Sequence, residues 1–419
     1  MVGYFCMEYG LDTSLKIYSG GLGLLAGDYL KETSDMNVNL VAVGFLYRYG
    51  YFTQTITGQG EQVARYDAQD FNRIPAEPVF DAEGNWLTTS VAFPGRTITA
   101  RIWKVAVGRT DLYLLDTDYE ANLDEDRQVT FHLYGGDWEN RLKQELLLGI
   151  GGIRALRNLG LNPQIYHCNE GHAAFTGLER LREYVTKDNL DFGEALEVVR
   201  ASSLFTTHTP VPAGHDAFDE GMLRKYIGHF PQLLKIDWET LMSLGKINGS
   251  DQGEKFSMSY LAANCAQNVN GVSWLHGEVS KDILNSMYPG YLPEELYISY
   301  VTNGVHYPTW AAKEWKKIHA RVFGEEFKTH HYDRKCFEGI YNVSDDEVWE
   351  TRKALKTKLI NRVKSIISDP SLSNHYSPGQ IVAIKKNLRD DVLTIGFARR
   401  FATYKRGTLL FSDLDRLAS

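Results

Sequence analysis

The sequence predicts an α/β fold built on a mostly parallel sheet. Two observations carry that prediction. Short apolar, β-branched runs alternate with longer segments whose apolar residues recur at helical spacing. The composition, 43% hydrophobic and 23% charged over 419 residues, is that of a globular chain long enough for two or three domains with their own cores.

The elements follow in order. Residues 19–31, SGGLGLLAGDYLK, place three glycines in five residues ahead of the first turns of a helix. Strands are expected over 39–47, 100–108 and 111–117, each an apolar run bounded by turn residues. RLKQELLLGIGGIRALRNLG (141–160) has helical apolar spacing and ends on a glycine. A strand at 164–168 leads into an amphipathic helix at 172–187, and a further strand spans 203–209. Binding residues then belong at the C-terminal ends of these strands. Residues 311–390 are rich in Lys, Glu and Asp, with helical patterning in DDEVWETRKALKTKLINRVKSII. VLTIGFARR (392–400) predicts a new buried strand, followed by a helix. One such pair cannot cover both faces of a sheet, so it either docks on the earlier sheet or belongs to something longer.

Bulk properties exclude some function classes. A net charge of −8 argues against a general nucleic-acid binder. The four cysteines, Cys6, Cys168, Cys265 and Cys336, form no CxxC pair and are expected to be reduced, mostly buried thiols. No signal peptide is expected in MVGYFCMEYGLD, and no apolar run approaches a membrane span. The expectation is a soluble cytoplasmic protein with no membrane partner. With 24 Tyr and 8 Trp the chain suits sugar-binding clefts, and equally an aromatic core.

Four motifs could carry chemistry. Gly21-x-Gly23-x-x-Ala26 formally meets the dinucleotide fingerprint, but the next strand runs into LYRYGYF without the acidic residue that fingerprint requires. No GK[ST] follows, so it is not a Walker loop either. Glycines at this density point to close approach of the backbone, and phosphate at a helix N-terminus is one candidate. HCNEGHAAF (167–175) puts Asn169, Glu170 and His172 where a strand meets a helix. No zinc spacing matches, and a plain Asn helix cap remains an alternative. TTHTPVPAGHD (206–216) carries His208 into a proline-fixed loop, although a lone histidine is more often structural. ARRFATYKR (398–406) gathers Arg399, Arg400, Lys405 and Arg406 around one turn, a clamp for phosphate or else a solvated basic surface. No nucleophile elbow, no metal set and no clear carboxylate pair stands out.

These motifs, with EYGLDTSLKIYSGGLGLLAGDYLKETSD, NGVSWLHGEVS and VTNGVHYPTW, resemble the α-glucan (glycogen, starch or maltodextrin) phosphorylases, the bacterial short-type branch above all. The resemblance runs in order along the whole chain. It implies a GT-B fold: a Rossmann-like N-terminal domain plus the beginning of a second one, divided as 1–301, a helical connector 302–390, and 391–419. It implies phosphorolysis of α-1,4-glucan by orthophosphate, releasing glucose 1-phosphate with retention. Pyridoxal 5′-phosphate is the implied cofactor, acting through its phosphate. Carried over, Gly20, Gly21, Leu22 and Gly23 line the glucose and phosphate site through backbone groups. His208 presents its main-chain carbonyl near the glucosyl ring, and Asn303 bonds the 6-hydroxyl. Arg399, Arg400, Tyr404 and Lys405 surround the substrate and cofactor phosphates, with His208, Arg400 and Lys405 the catalytic set. Asn169 and Asp137 are substrate-side residues, Asp137 within the gating loop YGGDWENRLKQE (134–145). The resemblance leaves room for a homodimer.

Two departures accompany it. The Gly-rich motif bearing the Schiff-base lysine does not occur in this sequence, and neither does the N-terminal extension of the short-type relatives. The chain is therefore expected to be a fragment that does not itself bind the cofactor covalently. The alternatives are a GT-B glucan synthase using a nucleotide-sugar, and a glucan-binding fragment without catalysis.

Overall fold

The computed structural model describes all residues except 58, 212–213, 248–252, 325, 332, 370–375, 400–404 and 419. The chain divides into two compact units. The first holds Met1–Thr55 and Val63–Trp310, the second Ile56–Gln62 and Ala311–Ser419.

Strands β1 (Val2–Phe5), β2 (Leu40–Phe45), β3 (Thr53–Ile56), β4 (Gln62–Arg65), β5 (Glu77–Pro78), β6 (Thr88–Phe93) and β7 (Arg96–Val107) come first. They are followed by β8 (Thr110–Asp116), β9 (Ile165–Asn169), β10 (Ser203–Thr206), β11 (Ala217–Phe218), β12 (Phe256–Ser257), β13 (Asn268–Gly271) and β14 (Ile298–Tyr300). Among the described residues ten of these make one sheet, in the order β14-β13-β10-β9-β1-β2-β8-β7-β5 with β6 on β7. From β14 to β8 every pairing is parallel, and β7, β6 and β5 add an antiparallel edge. Every residue of β2 is buried. Its unbroken apolar run LVAVGF is what a strand covered on both faces requires.

Helix α1 (Gly21–Asp35) follows β1, and its glycines explain its placement. A Cβ on Gly27 would stand 2.1 Å from the carbonyl oxygen of Gly10, and one on Gly23 would stand 2.6 Å from Tyr18 Cβ and 2.7 Å from Glu8 Oε2. The helix therefore lies directly on the chain that leaves β1, closer than any side chain would permit. The amide of Gly10 donates to the carbonyl of Gly23 at 2.6 Å across the same contact. The expected helix at 141–160 forms as Trp138–Leu146, one π-helical turn at Leu147–Gly151, and Gly152–Asn158. It packs beside Phe175–Lys187, where an added Cβ on Gly149 would stand 2.5 Å from that of Phe175.

In the second unit the predicted helix appears as Asp345–Ile367. Ser344 caps it, and three acids in its first turn face the positive end of the helix dipole. The strand expected at 392–400 does not form over 392–399. Val392, Leu393, Ile395 and Phe397 are all exposed there, Leu393 to 82%. A strand needs a neighbouring strand to take its hydrogen bonds, and among the described strands none pairs with this segment. A short helix, Leu414–Ala418, follows it. Arg400 lies outside the described residues.

Gly27→Ala is expected to cost at least about 2 kcal/mol, because the atom it would meet is backbone and cannot rotate away. Urea denaturation of the two chains checks this; an unchanged midpoint would contradict the close approach.

Candidate active site

Because β1, β9, β10, β13 and β14 run parallel, the segments leaving them gather at one edge of the sheet. Asn169 ends β9, and Glu170 follows with φ 82°, a left-handed conformation uncommon for a non-glycine residue. Four contacts hold it there. Its amide donates to the carbonyl of Thr206 at 2.8 Å. Its carboxylate accepts from the amide of Gly171 at 3.0 Å, the amide of His208 at 2.9 Å and the Thr209 hydroxyl at 3.0 Å. Glu170 thus stitches the end of β9 to the loop leaving β10, and strain of this kind persists where surrounding bonds over-determine it.

His208 is fixed from two sides. Its backbone is held by Glu170, and its Nε2 stands 2.7 Å from Asn169 Oδ1, an atom that can only accept, so Nε2 carries the proton. Burial lowers the proton affinity of the ring, which favours the neutral form. The other amide group of Asn169 faces Cys6 Sγ at 3.4 Å, and burial pushes the Cys6 thiol up to about 12. Cys6 is a packed thiol, not a nucleophile. His172 is structural too: its Nε2 accepts from the amide of Met7 at 3.0 Å.

The glycine-rich loop is organised by Glu8, which is 3% exposed. Glu8 Oε2 accepts from the amides of Ser19 at 2.8 Å and Gly20 at 3.4 Å, while Oε1 accepts from the Tyr134 hydroxyl at 2.6 Å. The loop's glycines therefore divide their work. Gly23 and Gly27 allow close packing, whereas an added Cβ on Gly21 would meet nothing within 4 Å. No side-chain hydrogen bond caps α1, and the space in front of Gly21 is open. That opening suits an anion or a sugar hydroxyl.

Tyr134 begins the loop that contains Asp137. The Arg141 guanidinium lies 4.7 Å from the Tyr134 ring centre, ion-paired to Asp216 at 2.5 Å and 3.1 Å from a Glu145 carboxyl oxygen. Burial alone would raise the Asp216 carboxyl, and the adjacent Arg141 charge more than offsets it, holding Asp216 below the usual range. Burial and the Asp216 charge push Glu145 upward, making Glu145 the protonated member of the pair. A cavity of about 330 Å³ opens among Tyr134, Gly135, Gly136, Asp137, Trp138, Arg141 and Asp216. Asp137 caps the helix that begins at Trp138, its Oδ1 accepting from the amide of Asn140 at 2.9 Å, and Trp138 stands half-exposed beside it.

The structure thus joins Asn169 to His208, and Gly20 through Glu8 and Tyr134 to the loop of Asp137. Asn303 is exposed, its amide donating to the carbonyl of Val272 at 3.1 Å beyond the end of β14. Arg399 and Lys405 belong to the second unit, and Arg400 and Tyr404 lie outside the described residues. Glu8, Tyr134, Arg141, Glu145 and Asp216 were not among the predicted site residues; Glu170 was singled out in HCNEGHAAF, without the stitching role it has here. The i,i+4 spacing of Arg141 and Glu145 was visible in sequence; their meeting with Asp216, 75 positions on, was not. Among the described residues no group of three His, Cys, Asp or Glu could hold a metal ion, and no helix is long and apolar enough to cross a membrane.

Residues 155–386, more than half the chain, match the model of the carbohydrate phosphorylase family. The chain is 41% identical to a glycogen phosphorylase of Mycobacterium tuberculosis, over 99% of its own length and 49% of the relative's. It is 40% identical to a maltodextrin phosphorylase of Thermococcus litoralis, over 99% and 48%. It is 37% identical to a glycogen phosphorylase of Aquifex aeolicus, over 98% and 58%. The chain thus spans about half the length of these relatives.

One site-edge group reports on pH. His167 bonds Thr206 Oγ1 at 2.8 Å, and burial pushes its imidazole down to about 3. The unfolded chain, with an ordinary value of about 6.5, binds this proton first. The contribution is therefore whole above about pH 6.5 and is lost as pH falls toward 3. Between pH 7.5 and 5 it amounts to about 2 kcal/mol. Urea titrations at the two pH values are expected to show a shallower acid loss in His167→Gln, which can still bond Thr206.

Proposed function

Because the chain belongs to the carbohydrate phosphorylase family, we propose that it carries part of the active site of an α-1,4-glucan phosphorylase. In this reading glucose leaves the non-reducing end of the glucan as glucose 1-phosphate, with retention and with orthophosphate as acceptor. The observation that carries the reading is the uncapped start of α1, open in front of Gly21, on the strand edge where Asn169 and Glu170 pin His208.

Each residue has a task in this reading. The amides of Gly21 and Leu22 receive the phosphate or the sugar hydroxyls. Glu170 holds the His208 amide and Asn169 its ring, so that the His208 carbonyl oxygen faces the glucosyl ring where positive charge develops. Asn303 bonds the 6-hydroxyl. The cavity beside Asp137 and Trp138 takes the glucan chain, with the indole of Trp138 as an apolar face for a pyranose ring. Gly20 and Gly21, with Arg399, Arg400, Tyr404 and Lys405, would hold pyridoxal 5′-phosphate and the substrate phosphate. The open, uncapped helix end fits an anionic group of that size. When bound, the cofactor's phosphate supplies a proton donor and acceptor to the substrate phosphate. The division into 1–301, 302–390 and 391–419, a cytoplasmic location and a homodimer belong to the same proposal.

The direct test supplies maltoheptaose, orthophosphate and pyridoxal 5′-phosphate and follows glucose 1-phosphate, with maltoheptaose binding measured alongside. Absence of both overturns the reading; binding without release leaves glucan recognition alone. Gly21→Ala is expected to keep the stability of the chain within about 0.5 kcal/mol, since the methyl meets no atom, yet to weaken phosphate or glucose binding about tenfold by filling the space before the amides. Calorimetric titration and urea denaturation separate the two effects. In the full-length protein, Lys405→Ala is expected to raise the phosphate KM about tenfold or more with little change in glucan binding. Steady-state kinetics in both substrates checks this.

A further inference from the structure

We propose that Asp28 is a positioning residue that fixes the Asn303 segment onto helix α1, and so sets how the site recognises the hydroxymethyl end of a hexose. The proposal rests on the function proposed above and adds a residue to that same site.

Asn303 lies just past β14, at one edge of the sheet, while Gly21 and Leu22 open α1, which follows β1. Three residue steps lead from Asn303 to His306, a reach of at most roughly 11 Å, so an anchor on His306 constrains Asn303 closely. The segment is tied down on both sides. On the β14 side, the amides of Val301 and Asn303 donate to the carbonyls of Gly271 and Val272. On the α1 side, Asp28 Oδ2 accepts from the amide of His306 at 3.1 Å and from the indole N–H of Trp310 at 2.6 Å. His306 Nε2 also meets Asp35 at 3.0 Å, about two turns further along the same face of α1, and its Nδ1 meets Thr309 at 2.7 Å. Between these anchors Val305 is 70% exposed.

The chemistry of Asp28 fits a positioning task better than a stabilising one. The residue is 5% exposed, and its Oδ1 is buried with no hydrogen-bond partner among the described residues. A carboxylate buried with one oxygen unsatisfied is a poor source of stability. What it gains is two charge-assisted bonds to a segment 278 residues away, on the very helix whose first amides face the ligand. The rise along α1 from Gly21 to Asp28 is roughly 10 Å, so the carboxylate is a rigid extension of the glycine-rich loop. With Asp28 in place, Asn303 and the Gly21 and Leu22 amides are held in one register.

The test is ligand-observed NMR on the chain with glucose and 6-deoxyglucose, which differ only at the group that Asn303 bonds. The wild type is expected to bind glucose about tenfold or more tighter, because the analogue leaves a polar group of the site unpaired. In Asp28→Ala that ratio is expected to fall below about twofold, and the His306 amide to exchange about tenfold faster or more. A purely structural role would weaken both sugars alike, so an unchanged ratio in Asp28→Ala overturns the proposal. A wild type that does not discriminate overturns the role given to Asn303 and this proposal with it, and that failure shows before any variant is made. Should Asp28→Ala not fold, Trp310→Phe, which removes one donor only, is expected to lower the ratio about threefold. No change there overturns the proposal equally.

Discussion

The site depends on one buried carboxylate. Glu8 follows β1 into the interior, where an ion without partners would cost several kcal/mol. Three donors meet it: the amides of Ser19 and Gly20 and the Tyr134 hydroxyl. Satisfying Glu8 therefore fixes the glycine-rich turn, starts α1, and holds the loop of Asp137 over the same strand edge. The absence of a Cβ at Gly23 is the steric condition for this, since Glu8 Oε2 occupies the space a side chain would need.

A second charge network extends the first. Arg141 rests on the Tyr134 ring and is paired with Asp216, while Glu145 below it keeps its proton. One cation, one anion and one neutral acid let the cluster stay buried without excess charge. Asp216 belongs to the loop that also carries His208, so the network reaches from the Asp137 loop to the β10 loop. Asn169 and Glu170 then complete the enclosure from β9. His208 in particular is held by neighbours, Glu170 at its amide and Asn169 at its ring, that are themselves hydrogen-bonded elsewhere, which is how a site keeps its geometry.

Much of the architecture was legible in the sequence. The apolar run at 39–47 read as a strand and RLKQELLLGIGGIRALRNLG as a helix, and both form. The helical patterning of DDEVWETRKALKTKLINRVKSII was legible as well, and the structure forms that helix over Asp345–Ile367. The motifs around Gly21, Asn169, His208 and Asn303 were likewise visible. The role of each glycine was not, because density of glycine signals close approach without saying what approaches. Gly23 and Gly27 meet protein, and only Gly21 faces open space. The strand expected at 392–400 shows the opposite limit: an apolar β-branched run states a propensity, and pairing requires a partner that local sequence does not supply.

By itself, then, the sequence determined the α/β class, the order of most strands and helices, and the family, because periodicity and motif spacing are local properties written along the chain. Tertiary structure alone decided that Glu8 fills part of the glycine-rich turn, that Asp216 rather than solvent faces Arg141, and that Asp28 receives His306 and Trp310. Those contacts join residues from 11 to 282 positions apart. Such pairings are fixed by which strands lie side by side in the sheet, and by the need of each buried charge to find a partner once they do.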